Sequence, residues 1–244
     1  RDYLAEFFGT AVLLFLGNSV SATVTLYPSA GASASWVLVC FGWGFALTMA
    51  LFVSGGISGG HLNPAVTFTA ACLRGFPWRK VPGFIASQLI GAFVGAAFCY
   101  LMHMSSLDNF DGGVRQTTGE FATAGIFATY PQAWITVGSG FLIETIATAT
   151  LVFCIYGLTD ERNMPGTNYA PLAIGFVVTI IGMALGFQTG FAINPARDLG
   201  PRTFTAWVGY GSEPFTAANN YAWVPVVAPF PGALIGGLIY DFMI

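Results

Sequence analysis

Charged residues are scarce in this chain. Only 8% of its 244 residues are Asp, Glu, Lys or Arg, whereas about 25% is usual in a soluble domain. The composition is 55% hydrophobic, and the mean hydropathy is +0.69. The formal net charge of -3 provides no basic surface of the kind that binds nucleic acid. We therefore predict an integral membrane protein and exclude nucleic acid as a partner.

Cysteine and histidine are also few. The four cysteines lie in apolar surroundings, without the paired spacing that marks zinc or redox sites. They are Cys40, Cys72, Cys99 and Cys154. The only histidines, His61 and His103, are too few for a His-based metal site. We expect no metal and no cofactor, and we interpret the cysteines as small buried residues of membrane helices.

Six largely uncharged segments are each about 20 residues long, the length that a helix needs to cross the hydrocarbon core. They are predicted at Phe7–Leu26, Trp36–Ser54, Val81–His103, Ile135–Leu158, Ala170–Phe187 and Tyr221–Tyr240. Two shorter apolar segments, Leu62–Arg74 and Asn194–Val208, are too short to span and are predicted as half-helices. The predicted fold is all-α, with six transmembrane helices and two re-entrant half-helices.

The basic residues of the loops are unevenly distributed between the two sides. If the spans alternate in direction, five fall on one side and two on the other. The sets are Arg1, Arg74, Arg79, Lys80 and Arg162 against Arg115 and Arg202. The positive-inside rule then places both termini in the cytoplasm and the polar connection 105–134 outside. We expect the plasma membrane as the location.

Each half-helix begins with the same three residues. The two boxes are Asn63, Pro64 and Ala65, and Asn194, Pro195 and Ala196. Proline suits the first helical turn, because its φ is fixed and it has no N–H. The segments that begin at Glu6 and Glu144 also match each other, at an offset of 138. These matches predict an internal repeat with halves at about 1–104 and 135–244.

The repeat predicts where the boxes lie. Because each half contains three spans, the second half is inserted upside down relative to the first, and interrupted segments of this kind point to a transport site. Two half-helix N-termini, which are partly positive, are then expected to meet near the midplane. There the amides of Asn63 and Asn194 donate hydrogen bonds to a passing oxygen. Asparagine is also a common N-cap, but two copies in an inverted repeat favour a pore.

Other charged or titratable residues accompany the boxes. We interpret Glu6 and Glu144 as braces that accept backbone N–H bonds of the re-entrant loops, rather than as a proton relay. His61 either lines the pore or pins its loop. Arg197 is expected to face the lumen, where it donates to hydroxyl oxygens and repels cations. Asp198 is expected to hold Arg197 or the start of the half-helix.

These motifs resemble those of the aquaporin superfamily over essentially the whole chain. The resemblance is carried by GGHLNPAV at 59–66, GFAINPARDLGP at 190–201 and the paired Glu6 and Glu144 segments. Gly60 and Leu199 are small departures from the usual pattern. The resemblance implies a single channel domain, 1–244, in a lipid bilayer. It also implies a homotetramer in which each protomer has its own pore.

Within that superfamily the sequence is similar to the glycerol facilitators. The family's outer filter, placed by distance from the boxes, falls on Trp43, Gly182, Phe191 and Arg197. Strict water channels have histidine where Gly182 stands, and we expect glycine to leave that wall open. Trp43 and Phe191 are expected to form an apolar corner opposite Arg197. Asp198, the segment TGEFATAGIFATYP and the segment LTDERN are similar to facilitator features.

The resemblance implies a passive channel for glycerol, other small uncharged polyols and water that excludes ions and protons. It implies no enzymatic activity. Two alternatives remain open at this point. One is a channel mainly for water, and the other is a junctional membrane protein that uses the connection 105–134.

Overall fold

The computed structural model describes residues 1–27 and 36–244, and these residues form ten α-helices. In chain order the helices are α1 Asp2–Leu26, α2 Trp36–Ser58, α3 Pro64–Leu73, α4 Val81–Asp111, α5 Val137–Thr159, α6 Ala170–Leu185, α7 Pro195–Thr205, α8 Glu213–Asn220, α9 Val224–Val227 and α10 Pro229–Met243. Single 3₁₀ turns lie at Trp78–Lys80, Ala124–Ile126, Thr167–Tyr169, Gly186–Gln188 and Tyr221–Trp223, and a π turn lies at Ala206–Tyr210.

Six helical segments in the described part of the chain are long and apolar enough to cross a membrane, which confirms the predicted spans. They are Asp2–Leu26, Trp36–Ser58, Trp78–Asp111, Val137–Thr159, Ala170–Gln188 and Glu213–Met243. The last of these includes three turns of irregular or short helix before α10. The helix is interrupted at residues 217–220, where Ala218, Asn219 and Asn220 have φ of 52°, 60° and 60°. After this break, prolines at 225, 229 and 231 remove main-chain donors from the helix.

Helix α4 ends later than its sequence predicts. We placed its end at His103, because the following residues are polar, but it continues to Asp111. The extension is stabilised outside the apolar core, since Arg115 pairs with Asp108 at 2.6 Å and with Asp111 at 2.7 Å. Gly112 then ends the helix with φ 67°, a left-handed conformation that glycine adopts without strain. The predicted connection 105–134 therefore begins as helix.

Helix α2 also continues beyond its predicted end at Ser54, to Ser58. The two half-helices, α3 and α7, have 10 and 11 residues. Each packs against a long helix of the other half, because α3 contacts α10 and α7 contacts α4. The two halves are thereby interlocked around the boxes.

Glycines allow the helix pairs within each half to approach closely. Gly91 and Gly95 of α4 lie against the carbonyl oxygens of Phe7 and Ala11 in α1, where a Cβ would overlap those oxygens. The same kind of contact recurs in α5, at residues that follow Phe7 and Ala11 by 138 positions. There Gly232 and Gly236 of α10 lie against the carbonyl oxygens of Thr145 and Ala149 in α5. Small residues at helix crossings are typical of membrane bundles, and this repeat reflects the inverted architecture.

Candidate functional site

The two boxes meet through their asparagine side chains. Asn63 Nδ2 donates to the carbonyl oxygen of Ile193 at 2.9 Å, and Asn194 Nδ2 donates to that of Leu62 at 2.8 Å. Each amide oxygen caps its own half-helix by accepting the N–H of the alanine two residues on. An amide has two N–H donors. One N–H of each asparagine is used between the loops, and the other has no partner among residues 1–27 and 36–244. The caps and the donor role are therefore combined in the same side chains.

The residue before each box asparagine has an unusual backbone conformation. Leu62 has φ 51° and Ile193 has φ 45°, a left-handed region in which bulky and β-branched residues are rarely found. Such residues cost about 1–3 kcal/mol each and persist where the surroundings hold them. This conformation turns the two carbonyls toward the opposite asparagines.

Glu6 and Glu144 supply the surroundings that hold these loops. Glu6 accepts the N–H groups of His61 at 2.9 Å and Leu62 at 2.7 Å. Glu144 accepts those of Ala192 at 3.0 Å and Ile193 at 2.8 Å. Both carboxylates are fully buried, and side-chain donors complete their hydrogen bonds, namely Ser58 and Gln88 for Glu6 and Thr189 for Glu144. Each carboxylate thus braces one re-entrant loop.

His61 makes contacts of both predicted kinds, with its own loop and with the cavity. Its Nδ1 lies 3.1 Å from the hydroxyl of Thr67, and its ring packs against those of Phe76 and Phe84 at centroid distances of 4.7 and 5.3 Å. The residue also lines a cavity that both box asparagines line. The loop is therefore pinned by a side chain that remains part of the wall.

A cavity of about 290 Å³ passes between the boxes and includes both asparagines in its wall. One end is lined by Arg74 and Thr159, and the other by Phe191 and Arg197. Since Arg74 pairs with Asp241 near the end of α10, we call the first end the terminal end and the second the outer end. The intervening apolar wall consists of Leu13, Leu47, Leu51, Val66, Ala70, Leu151, Ile155, Ile174 and Val178.

Three of the four predicted filter residues lie together at the outer end. Trp43, Phe191 and Arg197 line the cavity there. The guanidinium carbon of Arg197 lies 4.0 Å from the centre of the Trp43 ring, so the two groups are stacked rather than opposite each other as we expected. Arg197 Nη1 also donates to the carbonyl of Phe127 at 3.3 Å. In the described part of the chain no carboxylate forms an ion pair with it.

Gly182 lies behind the filter. Phe191, and not Gly182, is among the residues of the cavity wall. A Cβ added to Gly182 would lie 3.2 Å from Cζ of the Phe191 ring and 2.9 Å from Cys40 Sγ. Gly182 also accepts a hydrogen bond from Trp36 Nε1 at 2.9 Å. The glycine thus makes room for the aromatic ring, whereas we expected it to leave an open wall.

Of the two roles predicted for Asp198, holding Arg197 is not the one observed, and its contacts lie within α7 and with the chain before α5. It pairs with Arg202, whose Nε lies 2.7 Å from Oδ1, and it accepts the N–H and hydroxyl of Thr129 at 2.8 and 2.6 Å. Arg202, which we counted among the basic loop residues of the outer side, lies in α7 and is 1% exposed. The i,i+4 spacing of the two residues is favourable on a helix and is the signal that our interpretation missed.

The geometry agrees with comparisons with known proteins. The chain matches the family described as Major intrinsic protein over residues 1–240. The chain belongs to the major intrinsic protein family. It is an integral multi-pass membrane protein with the aquaporin fold. It is similar to a solved structure of the aquaglyceroporin from Plasmodium falciparum, with a TM-score of 0.89 and 33% identity, covering 100% of this chain and 96% of that one.

Among major intrinsic proteins, this chain is similar to several with related names. It is 48% identical to Aquaglyceroporin-2 of Rhizophagus irregularis, covering 100% of this chain and 77% of that protein. It is also 48% identical to Aquaglyceroporin-3 of Trypanosoma brucei brucei, covering 100% and 79%. With Aquaporin-7 of Mus musculus it shares 44% identity, covering 98% and 78%.

Proposed function

We propose that this protein is a passive channel for glycerol and other small uncharged polyols, and also for water. The observation that carries the proposal is the outer end of the cavity, where Arg197 lies beside the Trp43 and Phe191 rings. A polyol has carbon atoms on one side and hydroxyl groups on the other. An aromatic corner next to a fixed set of N–H donors matches both sides of such a solute. The names of the similar aquaglyceroporins support the same substrate class.

Beyond this filter the cavity wall also has a polar side and an apolar side. Backbone segments that line the cavity at 59–62 and 191–193 provide polar groups along one side, and aliphatic side chains form the other. A solute hydroxyl that leaves water can exchange its hydrogen bonds for those of Arg197, the box amides and loop carbonyls. No bond of the solute is changed, so its concentration gradient alone drives its movement.

Ions are excluded, in this proposal, by charge and by dehydration. Arg197 is buried and forms no ion pair among the described residues, so its positive charge lines the cavity without a carboxylate in direct contact with it. The N-termini of α3 and α7 add partial positive charge where the boxes meet. A cation therefore meets two positive regions in succession while losing its water.

The assembly and the location are part of the same proposal. We infer a homotetramer in which each single channel domain, 1–244, has its own pore, within the plasma membrane and with both termini in the cytoplasm. Large apolar side chains of α2, including Phe45, Met49 and Phe52, are exposed on the protomer surface, which is suitable for contact with lipid or another protomer. No catalytic role is proposed.

The function is tested by reconstitution into liposomes, with stopped-flow light scattering in glycerol and in sucrose gradients. We expect both glycerol and water to equilibrate faster than in protein-free vesicles. If only water does so, the protein is a water-selective channel and the glycerol proposal is wrong.

Replacement of Arg197 by valine is expected to increase the leak of protons and small cations. The reason is that Arg197→Val removes the positive charge at the outer end, together with one hydrogen bond to the Phe127 carbonyl and the stacking on the Trp43 ring. The leak is measured with a pH-sensitive dye inside vesicles under a potassium gradient, with water permeability as the check on folding. Arg162→Val is the matched control, because Arg162 is 83% exposed outside the channel. An unchanged leak would show that the helix N-termini suffice without this charge.

A further inference from the structure

A second pairing of arginine with an aromatic ring lies at the terminal end of the cavity. The guanidinium carbon of Arg74 is 3.7 Å from the centre of the Tyr156 ring, close to the 4.0 Å between Arg197 and Trp43. Arg74, Tyr156 and Thr159 line the channel cavity and also an adjoining cavity of about 420 Å³. A solute that leaves the channel at this end therefore passes these three residues.

Arg74 is held in a fixed orientation but keeps unused donors. Its Nη1 and Nη2 donate to the two carboxylate oxygens of Asp241 at 2.8 and 2.5 Å, and Nη1 also donates to the carbonyl of Leu73 at 3.1 Å. Because a guanidinium has five N–H groups and a carboxylate about four acceptor positions, both partners have capacity left. Their side chains are 39% and 33% exposed, so a solute can reach them.

The electrostatics of the two ends differ. Arg197 has no carboxylate partner in the described chain, whereas Arg74 is neutralised by Asp241, whose hydrogen bond raises the pKa of Arg74 above its usual value. The terminal end therefore presents a donor and an acceptor side by side with little net charge. A vicinal diol presents the complementary donor and acceptor, and Ala70 and Ile155 in the same cavity wall can contact its carbon atoms.

We propose that Arg74 and Asp241, positioned by the Tyr156 ring, form a second binding station for polyols at the terminal end of the channel. The inference rests on the proposed function, since a channel that admits no polyol has no use for such a station. Partial exposure and competition with water make the station weak. The station binds the solute for a short time at the point where it passes between the narrow channel and bulk solution.

The test is stopped-flow permeability of vesicles that contain the wild type or Arg74→Ala. We expect glycerol permeability to fall by about threefold to tenfold, the size of effect that loss of an ordinary, partly exposed hydrogen bond produces, with water permeability unchanged. In Arg74→Ala vesicles, half-inhibition of labelled glycerol exchange should need a higher concentration of unlabelled glycerol than in wild-type vesicles, because the station binds glycerol less tightly. Asp241→Asn should act in the same direction, and Arg74→Lys should restore part of the loss, because lysine keeps the charge without the planar pair of donors.

Arg162→Ala is the matched control. Arg162 pairs with Asp160 and lines the adjoining cavity but lies outside the channel wall, so both permeabilities should stay at the wild-type value. Parallel loss of water and glycerol permeability in Arg74→Ala would show that the ion pair only fastens α3 to α10, and unchanged glycerol permeability and half-inhibition would equally overturn the station. Wild-type vesicles no faster for glycerol than empty ones would instead overturn the proposed function as well.

Discussion

Replacement of Gly182 by histidine is expected to lower glycerol permeation by more than about tenfold, which corresponds to ~1.4 kcal/mol of added barrier, and water permeation far less. Even a Cβ at this position would lie 2.9 Å from Cys40 Sγ and 3.2 Å from Phe191 Cζ. An imidazole therefore has to displace the Phe191 ring into the filter. The remaining opening admits a water molecule but not the carbon chain of a polyol.

Two variants separate narrowing from general damage. Gly182→Ala adds only the Cβ and should have a smaller effect in the same direction. Cys40→Ala removes the sulfur that lies behind Gly182 and should leave both permeabilities near the wild-type values. The measurement is stopped-flow scattering with equal amounts of protein in each vesicle preparation. If Gly182→His reduces water and glycerol permeation equally, Phe191 is not the residue that sets the size of the opening.

The spans and half-helices are predictable from sequence because the membrane imposes a simple requirement on length and charge. About 20 uncharged residues cross the core, and 10 or 11 do not. Two copies of the box then place both half-helix starts, since asparagine and proline have defined roles at a helix N-terminus. The predicted end of α4, His103, lies eight residues before the observed end, Asp111. Its last turns depend on pairing with Arg115, which the hydropathy of the segment does not include.

The site is less predictable where one residue acts through another. The resemblance to the family, carried over by distance from the boxes, predicts that Trp43, Phe191 and Arg197 lie together. It does not indicate that Gly182 lies behind Phe191. Side-chain packing between α6 and the loop before α7 decides that order. From the sequence, Arg74 was used only as one of the basic loop residues that predict which side of the membrane the termini lie on. Its contacts with Tyr156 and Asp241 join segments far apart in sequence, and no local pattern predicts them.

Replacement of Asp198 by asparagine is expected to destabilise the protein by about 3–5 kcal/mol, the usual result when one partner of a buried ion pair is removed. The asparagine has nearly the same shape, but its NH₂ group faces donors, because Asp198 accepts from Arg202 and from both the N–H and hydroxyl of Thr129. Thermal unfolding in detergent measures the effect, with a midpoint lower by roughly 10 °C. Asp2→Asn is the control, since Asp2 and Lys80 form a partly exposed pair, and its midpoint should stay unchanged.

The same variant is expected to weaken the filter, and this consequence distinguishes Asp198 from an ordinary buried charge. Asp198 holds Thr129, and Phe127, two residues earlier, supplies the carbonyl that accepts the hydrogen bond of Arg197. In the variant Thr129 loses the acceptor of its N–H and hydroxyl and keeps only the bond from Arg202 Nη2 to its carbonyl. The nearby Phe127 carbonyl, which accepts from Arg197, is then held less firmly. We therefore expect vesicles with Asp198→Asn to admit polyols larger than glycerol more readily than the wild type. An unchanged size limit in protein that has lost stability would show that Asp198 supports the fold without positioning Arg197.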